Sequence, residues 1–473
     1  MQLPRSLEVI HIIGIGGVGM SAIAQLLHAK KFYVQGSDQR DSLNVQRLRE
    51  QGINVFIGHN ASNLKNAQHV VISSAIKDIN PELEAARNMG LTIIRRAEIL
   101  AELMRLYATI SVTGTHGKTT TTSLIAHIFK SFSLDPTVIT GGIIKSWDSN
   151  ARLGKGPWMI VEADESDGTF IKVPTQIGVV TNIDSEHLDF FGSVESMHSQ
   201  YAMFMQQIPF YGLIVACIDH AVVLDMINKL KLHHDNRRLI TYGLSPYADI
   251  VLTDVEIIKD QTFFSADFGK RVPGEARRIE RWMVPIPGVH NALNALAAIS
   301  VASEAGIPDD CIRKALASFA GIKRRFQLIG TAYGVSVYDD YGHHPNEIKA
   351  VLAAAREGIK GKVFAVFEPH RYSRVRDLFQ DFCNCLENAD KIFIMPLYSA
   401  GEKLIDGISS SSLAMGISSK GHKNVIPVEH VNQLASLLCS ETREGDIIVF
   451  LGAGHSTKWA HILPRLMAKR RNL

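Results

Sequence analysis

The residues from Tyr107 to Lys130, YATISVTGTHGKTTTTSLIAHIFK, restrict the fold more than any other stretch. A β-branched apolar run, Ile110 to Val112, enters a turn made of Gly114, Thr115, His116 and Gly117. Lys118, Thr119 and Thr120 follow, and then Leu124, Ile125 and Ile128 recur at the spacing of a helix face. Strand, glycine turn and helix in that order make a cradle for a triphosphate. Glycines let backbone N–H groups converge, the helix N-terminus favours anions, the lysine ammonium meets the β- and γ-phosphates, and a hydroxyl reaches Mg2+. The general pattern has one more glycine where this chain has Val112, so the match is to a shortened form, G-T-H-G-K-T. ATP or GTP binding is the expectation.

At 473 residues the chain is too long for one core, and ordinary domain sizes predict about three. Its 50 basic and 47 acidic residues nearly cancel, which gives no electrostatic reason to expect nucleic acid or an anionic membrane as partner. Five cysteines spread over this length do not form a disulfide framework and fit a reducing compartment. Cys383 and Cys385 stand two apart on a predicted helix, so they point apart and make a poor metal pair. The N-terminal run, MQLPRSLEVIHIIGIGGVGM, reads as a strand and turn rather than a secretory signal. No apolar run reaches the length of a membrane span. A cytoplasmic monomer or weak homodimer is expected.

Three α/β domains are predicted, at 1–106, 107–321 and 322–473. In the first, short β-branched runs alternate with helical stretches, a rhythm that predicts a Rossmann-like, doubly wound parallel sheet. Its first turn holds Gly14, Gly16, Gly17 and Gly19 in the pattern G-x-G-x-x-G, and Ser37 and Asp38 close the second strand. Such a turn recognises a diphosphate at a helix N-terminus, and any nucleotide diphosphate satisfies it. Ser73 and Ser74, after the fourth strand, either donate to the same phosphates or cap the following turn.

In the central domain a strand from Trp158 to Val161 ends on Glu162, Asp164, Glu165 and Asp167. Four carboxylates so close repel one another unless they are solvated or face a cation, and Mg2+ resolves that repulsion. The strand from Ile177 to Val180 ends on TNIDSEHLD, where His187 is a candidate cation ligand or phosphate donor. Residues 250–268 and 277–285 alternate in a way that suits a small antiparallel excursion. His290, Asn291 and Asn294 then share the first turn of a helix; one can cap it, and a buried amide can read an adenine edge. The basic connector Ile322 to Phe326 leads into the third domain, and Arg325 either is solvated there or reaches the triphosphate.

The third domain alternates strand and helix again. Two of its strand ends, DDYGHHP from Asp339 and EPHRYSR from Glu368, carry the chemistry, and ligands sit at such ends in parallel sheets. Two phosphate-binding turns of different kinds imply two nucleotide-like ligands. A dehydrogenase has no use for the second, so an oxidoreductase acting on a nucleotide-linked substrate is the weaker alternative. A ligase uses both.

Ten motifs in order carry a resemblance: GIGGVGMSAIA, VVISSAIK, RRAEILAELMR, TGTHGKTTT, VEADESDGTF, TNIDSEHLD, PGVHNALNALAA, KRRF, DDYGHHPNEIKA and PHRYSRVRDL. From about Glu8 to Lys458 the chain resembles the Mur ligase family. The resemblance implies a UDP sugar in the first domain, ATP in the second and an amino acid brought by the third. It also implies ATP-dependent joining of L-alanine to the lactyl carboxylate of UDP-N-acetylmuramate through an acyl phosphate, in peptidoglycan precursor synthesis. A sibling ligase that attaches a preformed peptide to the same UDP sugar is the alternative. GHHP and HRYSR speak for single-alanine addition.

By position, the resemblance gives Lys118 to the transferred phosphate, Thr119 and Glu162 to one Mg2+, and His187 to a second. It places Asn291 and Asn294 near the nucleotide, and matches Arg325 and Asp340 to the family's linker arginine and ribose-binding aspartate. Tyr341, His343, Arg371 and Arg374 fall where the substrate carboxylate and L-alanine are handled, and His343 is the candidate base for the amine. Some relatives place a carbamylated lysine on the second metal, but no lysine occurs between Lys172 and Lys229.

Overall fold

The computed structural model describes residues 8–73, 75–165, 168, 170–186, 188–233 and 237–471. Ser74, Asp167 and His187, all singled out above, lie outside the described residues. The chain forms two compact units: Met1–Leu252, Ala266–Ile279 and Leu293–Leu316 make the first, and Thr253–Ser265, Glu280–Ala292 and Ala317–Leu473 the second. Three sheets run through them.

The first sheet is built from β1 (Val9–Ile13), α1 (Val18–Ala29), β2 (Tyr33–Asp38), α2 (Leu43–Glu50), β3 (Asn54–Ile57), β4 (Ala67–Ile72), α3 (Pro81–Asn88), β5 (Thr92–Arg95) and α4 (Arg96–Met104). All its strands are parallel, in the order β3-β2-β1-β4-β5. α1 buries Met20, Ile23, Leu26 and Leu27, the apolar stripe that a helix needs to lie on a sheet. α3 starts sharply because the Asn80 side chain accepts from the N–H groups of Glu82 and Leu83, and Pro81 takes the first helical position. The chain runs outward from β1 through β2 to β3, then returns to β4 on the other side. The crevice for a ligand therefore opens beyond the ends of β1 and β4.

The second sheet begins with β6 (Ala108–Thr113), α5 (Lys118–Ser131), β7 (Thr137–Ile144), β8 (Ser149–Arg152), β9 (Trp158–Glu162) and β10 (Ile177–Val180). It continues through α6 (Leu188–Phe191), α7 (Val194–Gln207), β11 (Leu213–Cys217), α8 (Ala221–Lys229), β12 (Arg238–Gly243), β13 (Ile250–Ile258), β14 (Gln261–Phe268) and β15 (Arg277–Val284), and α9 (Val289–Glu304) and α10 (Asp309–Ala317) follow. The strand order is β15-β14-β13-β12-β11-β10-β6-β9-β7-β8. β6 is flanked by β10 and β9, both parallel to it, so the loops after these three strands emerge side by side. Strands β7, β8, β11 and β12 add to those expected from the sequence.

The third sheet takes β16 (Gln327–Ala332), β17 (Val335–Asp340), α11 (Pro345–Gly358), β18 (Val363–Phe367), α12 (Tyr372–Asp377), α13 (Phe379–Asn384) and β19 (Lys391–Ile394). It is completed by α14 (Ser410–Ser419), β20 (Val425–Pro427), α15 (Val431–Glu441), β21 (Ile447–Leu451) and α16 (Ser456–Arg471). The order β16-β17-β21-β18-β19-β20 is parallel except for β16. β21, the last strand in sequence, inserts between β17 and β18. The ends of β17, β18 and β21 thus form the switch point of this sheet.

Candidate active site

The turn between β6 and α5 is held from the β10 side. The His116 N–H donates to Asn182 Oδ1 at 2.7 Å, and Asn182 Nδ2 and the Thr181 hydroxyl donate back to the His116 carbonyl at 3.0 and 2.6 Å. Asp184 N–H donates to the Thr115 hydroxyl at 2.8 Å. Gly117 has φ +81°, and a Cβ there would lie 2.4 Å from Asn294 Oδ1, so both backbone and neighbour require glycine. Asn294 in turn accepts from the Thr121 hydroxyl at 3.2 Å. Thr115, Thr119 and Thr120 are all buried.

Lys118 Nζ donates to the carbonyls of Gly114 and Thr115 at 2.6 and 3.0 Å and to Glu165 Oε1 at 2.9 Å. Burial works against its charge, but Glu165, Asp164 and Glu162 outweigh it and hold its pKa above the ordinary lysine value. Burial also pushes the Glu165 carboxyl up to about 7, against the pull of Lys118 and with the help of the Asp164 charge. The acidic strand end is therefore divided in its duties. Glu165 faces the lysine, while Glu162 accepts from the hydroxyls of Thr119 and Thr140, each at 2.9 Å. The Thr119 hydroxyl and the Glu162 carboxylate are hard oxygen donors beside the first turn of α5, the type that Mg2+ takes. Among the described residues no group of three His, Cys, Asp or Glu is placed to hold a metal, so a cation here would rely on phosphate and water as well.

A feature not expected from the sequence lies at the end of β10. Asp184 sits between two histidines, with His116 Nε2 3.2 Å and His220 Nε2 3.3 Å away. Burial would raise its pKa, but the hydrogen bonds and charges of the two histidines prevail and hold it well below the usual carboxylate range. His116 thus ties the phosphate turn to β10, and His220 ties β10 to the start of α8.

In the first sheet, the N–H groups of Gly14 and Ile15 both donate to the Ser37 carbonyl, at 2.8 and 2.9 Å. The Gly16 N–H donates to Asp38 Oδ2 at 2.9 Å, and a Cβ at Gly16 would lie 2.8 Å from Val45 and 2.9 Å from that carboxylate. Gly17 caps α1. Gly19 faces Arg96. Ser73 is half-buried at the end of β4, and its carbonyl accepts from the Ile76 N–H. Ser37, at the close of β2, is fully buried, and its hydroxyl donates to Glu82. What it gives the turn is its carbonyl.

In the second unit, Asp340 is 3 % exposed and accepts the N–H of Phe326 at 2.8 Å and that of Gly342 at 2.7 Å, fastening the basic connector to the end of β17. Burial raises its pKa, and Arg325 and these N–H groups oppose the rise. The Arg325 guanidinium lies over the Tyr341 ring at 5.6 Å, with Glu347 3.7 Å away. Asn291 is buried and donates to the Pro287 carbonyl at 2.7 Å. Beside it His290 is pushed down to about 4 by burial and by Arg325.

His343 Nδ1 lies 3.0 Å from the Tyr341 carbonyl. A carbonyl only accepts, so Nδ1 carries a proton. His343 packs against Tyr341 and His370, His370 stacks on Tyr398, and Tyr398 meets His455 edge-on. Burial, with His343, Arg374 and Arg371, pushes His370 down to about 4, so it is neutral at physiological pH. Arg371 has φ +67° and donates its N–H to the Tyr398 carbonyl at 2.8 Å; Arg374 lies in α12, which begins at Tyr372. Tyr341 and His343 are in ring contact, and His343, Arg371 and Arg374 all lie near His370. His370 stands in the EPHRYSR loop, whereas Tyr398 and His455 lie in segments that carry none of the ten motifs.

A third glycine turn, Gly452-Ala-Gly454-His455, joins β21 to α16. It is filled from within. Glu368, at the end of β18 and 1 % exposed, accepts the N–H groups of Gly454, His455 and Ser456 at 2.9, 2.7 and 3.1 Å.

A parallel sheet with a phosphate turn, an acidic strand end facing a lysine, and a separate arginine and histidine cluster define an ATP-using ligase architecture. The comparisons agree. The Mur ligase family, catalytic domain, matches residues 9–108, the Mur ligase middle domain residues 112–302, and the Mur ligase, glutamate ligase domain, residues 324–454. The chain belongs to the Mur ligase family, and it is a three-domain α/β protein. It is 50% identical over 468 residues to the UDP-N-acetylmuramate--L-alanine ligase of Methylorubrum extorquens, covering 99% of both chains. It is 51% identical over 464 residues to the ligase of the same name from Agrobacterium fabrum, covering 98% of each. Among crystal structures, UDP-N-acetylmuramate-alanine ligase from Thermotoga maritima superposes with a TM-score of 0.80 at 27% identity, over 98% of this chain and 99% of that one. A murein peptide ligase from Psychrobacter arcticus shares the fold, with a TM-score of 0.68 at 23% identity over 98% of this chain and 99% of that one.

Proposed function

We propose that this chain joins L-alanine to the lactyl carboxylate of UDP-N-acetylmuramate at the expense of ATP, in peptidoglycan precursor synthesis. The observation that carries the proposal is the roughly half-identical match, over nearly the whole length, to relatives named for that single reaction. A carboxylate resists an amine because its charge repels nucleophiles and oxide is a poor leaving group. Transfer of the γ-phosphoryl from ATP to a carboxylate oxygen gives an acyl phosphate and ADP. The alanine nitrogen then attacks the carbonyl carbon, phosphate leaves, and the amide remains.

Each cluster has a part in this reading. The glycine turn after β1 cradles the UDP diphosphate, and the turn after β6 the triphosphate. Lys118 neutralises charge on the transferring phosphoryl oxygens. The hydroxyl of Thr119 and the carboxylate of Glu162 would hold Mg2+, which when bound supplies further charge neutralisation there. Asn291, Asn294, Arg325 and Asp340 serve the nucleotide. Arg371 and Arg374 clamp the alanine carboxylate, and His343 takes the proton of the alanine ammonium.

The five cysteines are all free, which supports a reducing, cytoplasmic setting, and no described helix is long and apolar enough to cross a membrane. All three substrates are small, and the chain is read as a monomer or weak homodimer. The deciding experiment is phosphate release with a matrix of UDP sugars against amino acids and peptides. UDP-N-acetylmuramate with L-alanine should be fastest. Faster coupling of a preformed tripeptide would overturn the assignment in favour of a peptide ligase.

A further inference from the structure

Glu82 is a carboxylate with no part in the reaction above, and it is fully buried. Its Oε2 faces His11 Nε2 at 3.4 Å, His59 Nδ1 at 3.3 Å and the Ser37 hydroxyl. Its Oε1 accepts the Asn60 N–H at 3.2 Å and Asn63 Nδ2 at 2.6 Å. Five donors thus converge on one side chain, from β1, from β2 and from the segment after β3. Gln35 extends the group, with Nε2 3.3 Å from His11 Nδ1 and 2.8 Å from the Asn63 carbonyl. Burying a charge for stability alone is a poor bargain, since an apolar side chain of the same size is often at least as stabilising.

What sets this network apart is where it ends. Ser37 gives its hydroxyl to Glu82 and its carbonyl to the N–H groups of Gly14 and Ile15. Next to it, Asp38 accepts the N–H of Gly16. His11 lies on the strand that runs directly into the same turn. Every route out of Glu82 through β1 and β2 therefore reaches the glycine turn within a few bonds. The donors hold the carboxyl down to about 2 in spite of its burial, so the anchor stays anionic throughout the physiological range.

We infer that Glu82 is a positioning residue for the nucleotide-sugar turn: it anchors Ser37 from behind, and Ser37 fixes the backbone of Gly14 and Ile15, from which the rest of the turn follows. This rests on the reading that Gly14 to Gly19 hold the UDP diphosphate. Glu82→Gln keeps the volume but turns an amide NH2 toward groups that are themselves donors, so one side of the network must reverse or break.

The test is steady-state kinetics on the full chain. Glu82→Gln should raise the KM for UDP-N-acetylmuramate about tenfold, while kcat and the KM values for ATP and L-alanine stay within about twofold. Ser37→Ala should give the same split, and the double variant should be no worse than the worse single one, because both cut one path. If Glu82→Gln does not fold, Ser37→Ala decides alone. Gly16→Val serves as the control on the underlying reading. Should Gly16→Val raise the UDP-sugar KM while the other two variants lower only the melting temperature, the network is structural and the inference fails. Should Gly16→Val leave that KM unchanged as well, the glycine turn does not hold the diphosphate, and the inference falls with it.

Discussion

The Lys118 ammonium lies 2.9 Å from one oxygen of Glu165 and 2.8 Å from the other, so the cation of the phosphate turn is held in place by the chain's own carboxylate. Lys118→Ala should therefore lose the charge without a large collapse, because Glu165 can neutralise itself by taking up a proton. The loss falls on the transition state: kcat should drop by at least about a hundredfold, or roughly 3 kcal/mol. Phosphate release measures it, and a near-normal kcat would refute the role given to Lys118.

Glu165 also makes a prediction about pH. The unfolded chain gives up this proton near its ordinary value of 4.5 and the folded chain near about 7, so between these values the fold binds more protons. Its contribution to stability is complete below pH 4.5 and is lost as the pH rises through 7. Glu165→Gln cannot titrate. The Tm of the wild type minus that of the variant should fall across this window and level off above it, and a flat difference would contradict a buried, protonated Glu165.

Glu162 shares the Thr119 hydroxyl with no other carboxylate among the hydrogen bonds described. Glu162→Gln should shift the Mg2+ dependence of the rate to about tenfold higher concentration, in keeping with the loss of one charged ligand. A chelator should abolish turnover in the wild type, with recovery on added Mg2+. An unchanged Mg2+ titration in the variant would remove Glu162 from the metal.

Arg371 is fixed by its backbone at the start of α12, close to Arg374 and His370. Arg371→Ala should raise the KM for L-alanine by about tenfold or more and leave the KM values for ATP and the UDP sugar near the wild-type values. Serine and glycine should be slow substrates rather than inert ones, since one hydroxyl or methyl is worth only about 1–3 kcal/mol in an apolar wall. Isothermal titration with L-alanine gives an independent check, and unaltered alanine binding by the variant would exclude the clamp.

Much of this was legible in the sequence, for identifiable reasons. β10, β18 and β21 lie at Ile177–Val180, Val363–Phe367 and Ile447–Leu451, where short runs without a charged or polar side chain put them. Buried parallel strands have no polar face to blur the pattern. β8 carries Ser149-Asn-Ala-Arg152, with no alternation to read, and β7 is interrupted by Gly141 and Gly142. The chemistry at strand ends followed from topology, so Lys118, Thr119 and Glu162 could be named together. Pairings across the chain could not. Nothing local marks Glu82 as the partner of Ser37, or His220 as the partner of Asp184, because these contacts exist only after distant strands come together.

Glu368 carries a lesson for reading such chains. The turn at Gly452 has the strand, the glycines and the long helix that elsewhere invite a phosphate, yet its N–H groups already hold a carboxylate that arrives from far upstream in the chain. The same local device thus serves as a socket in one place and as a rivet in another. A strand, glycines and a helix in that order do not by themselves make an anion site. The number of visitors it can receive is set by which sockets the polypeptide has already plugged with a side chain of its own.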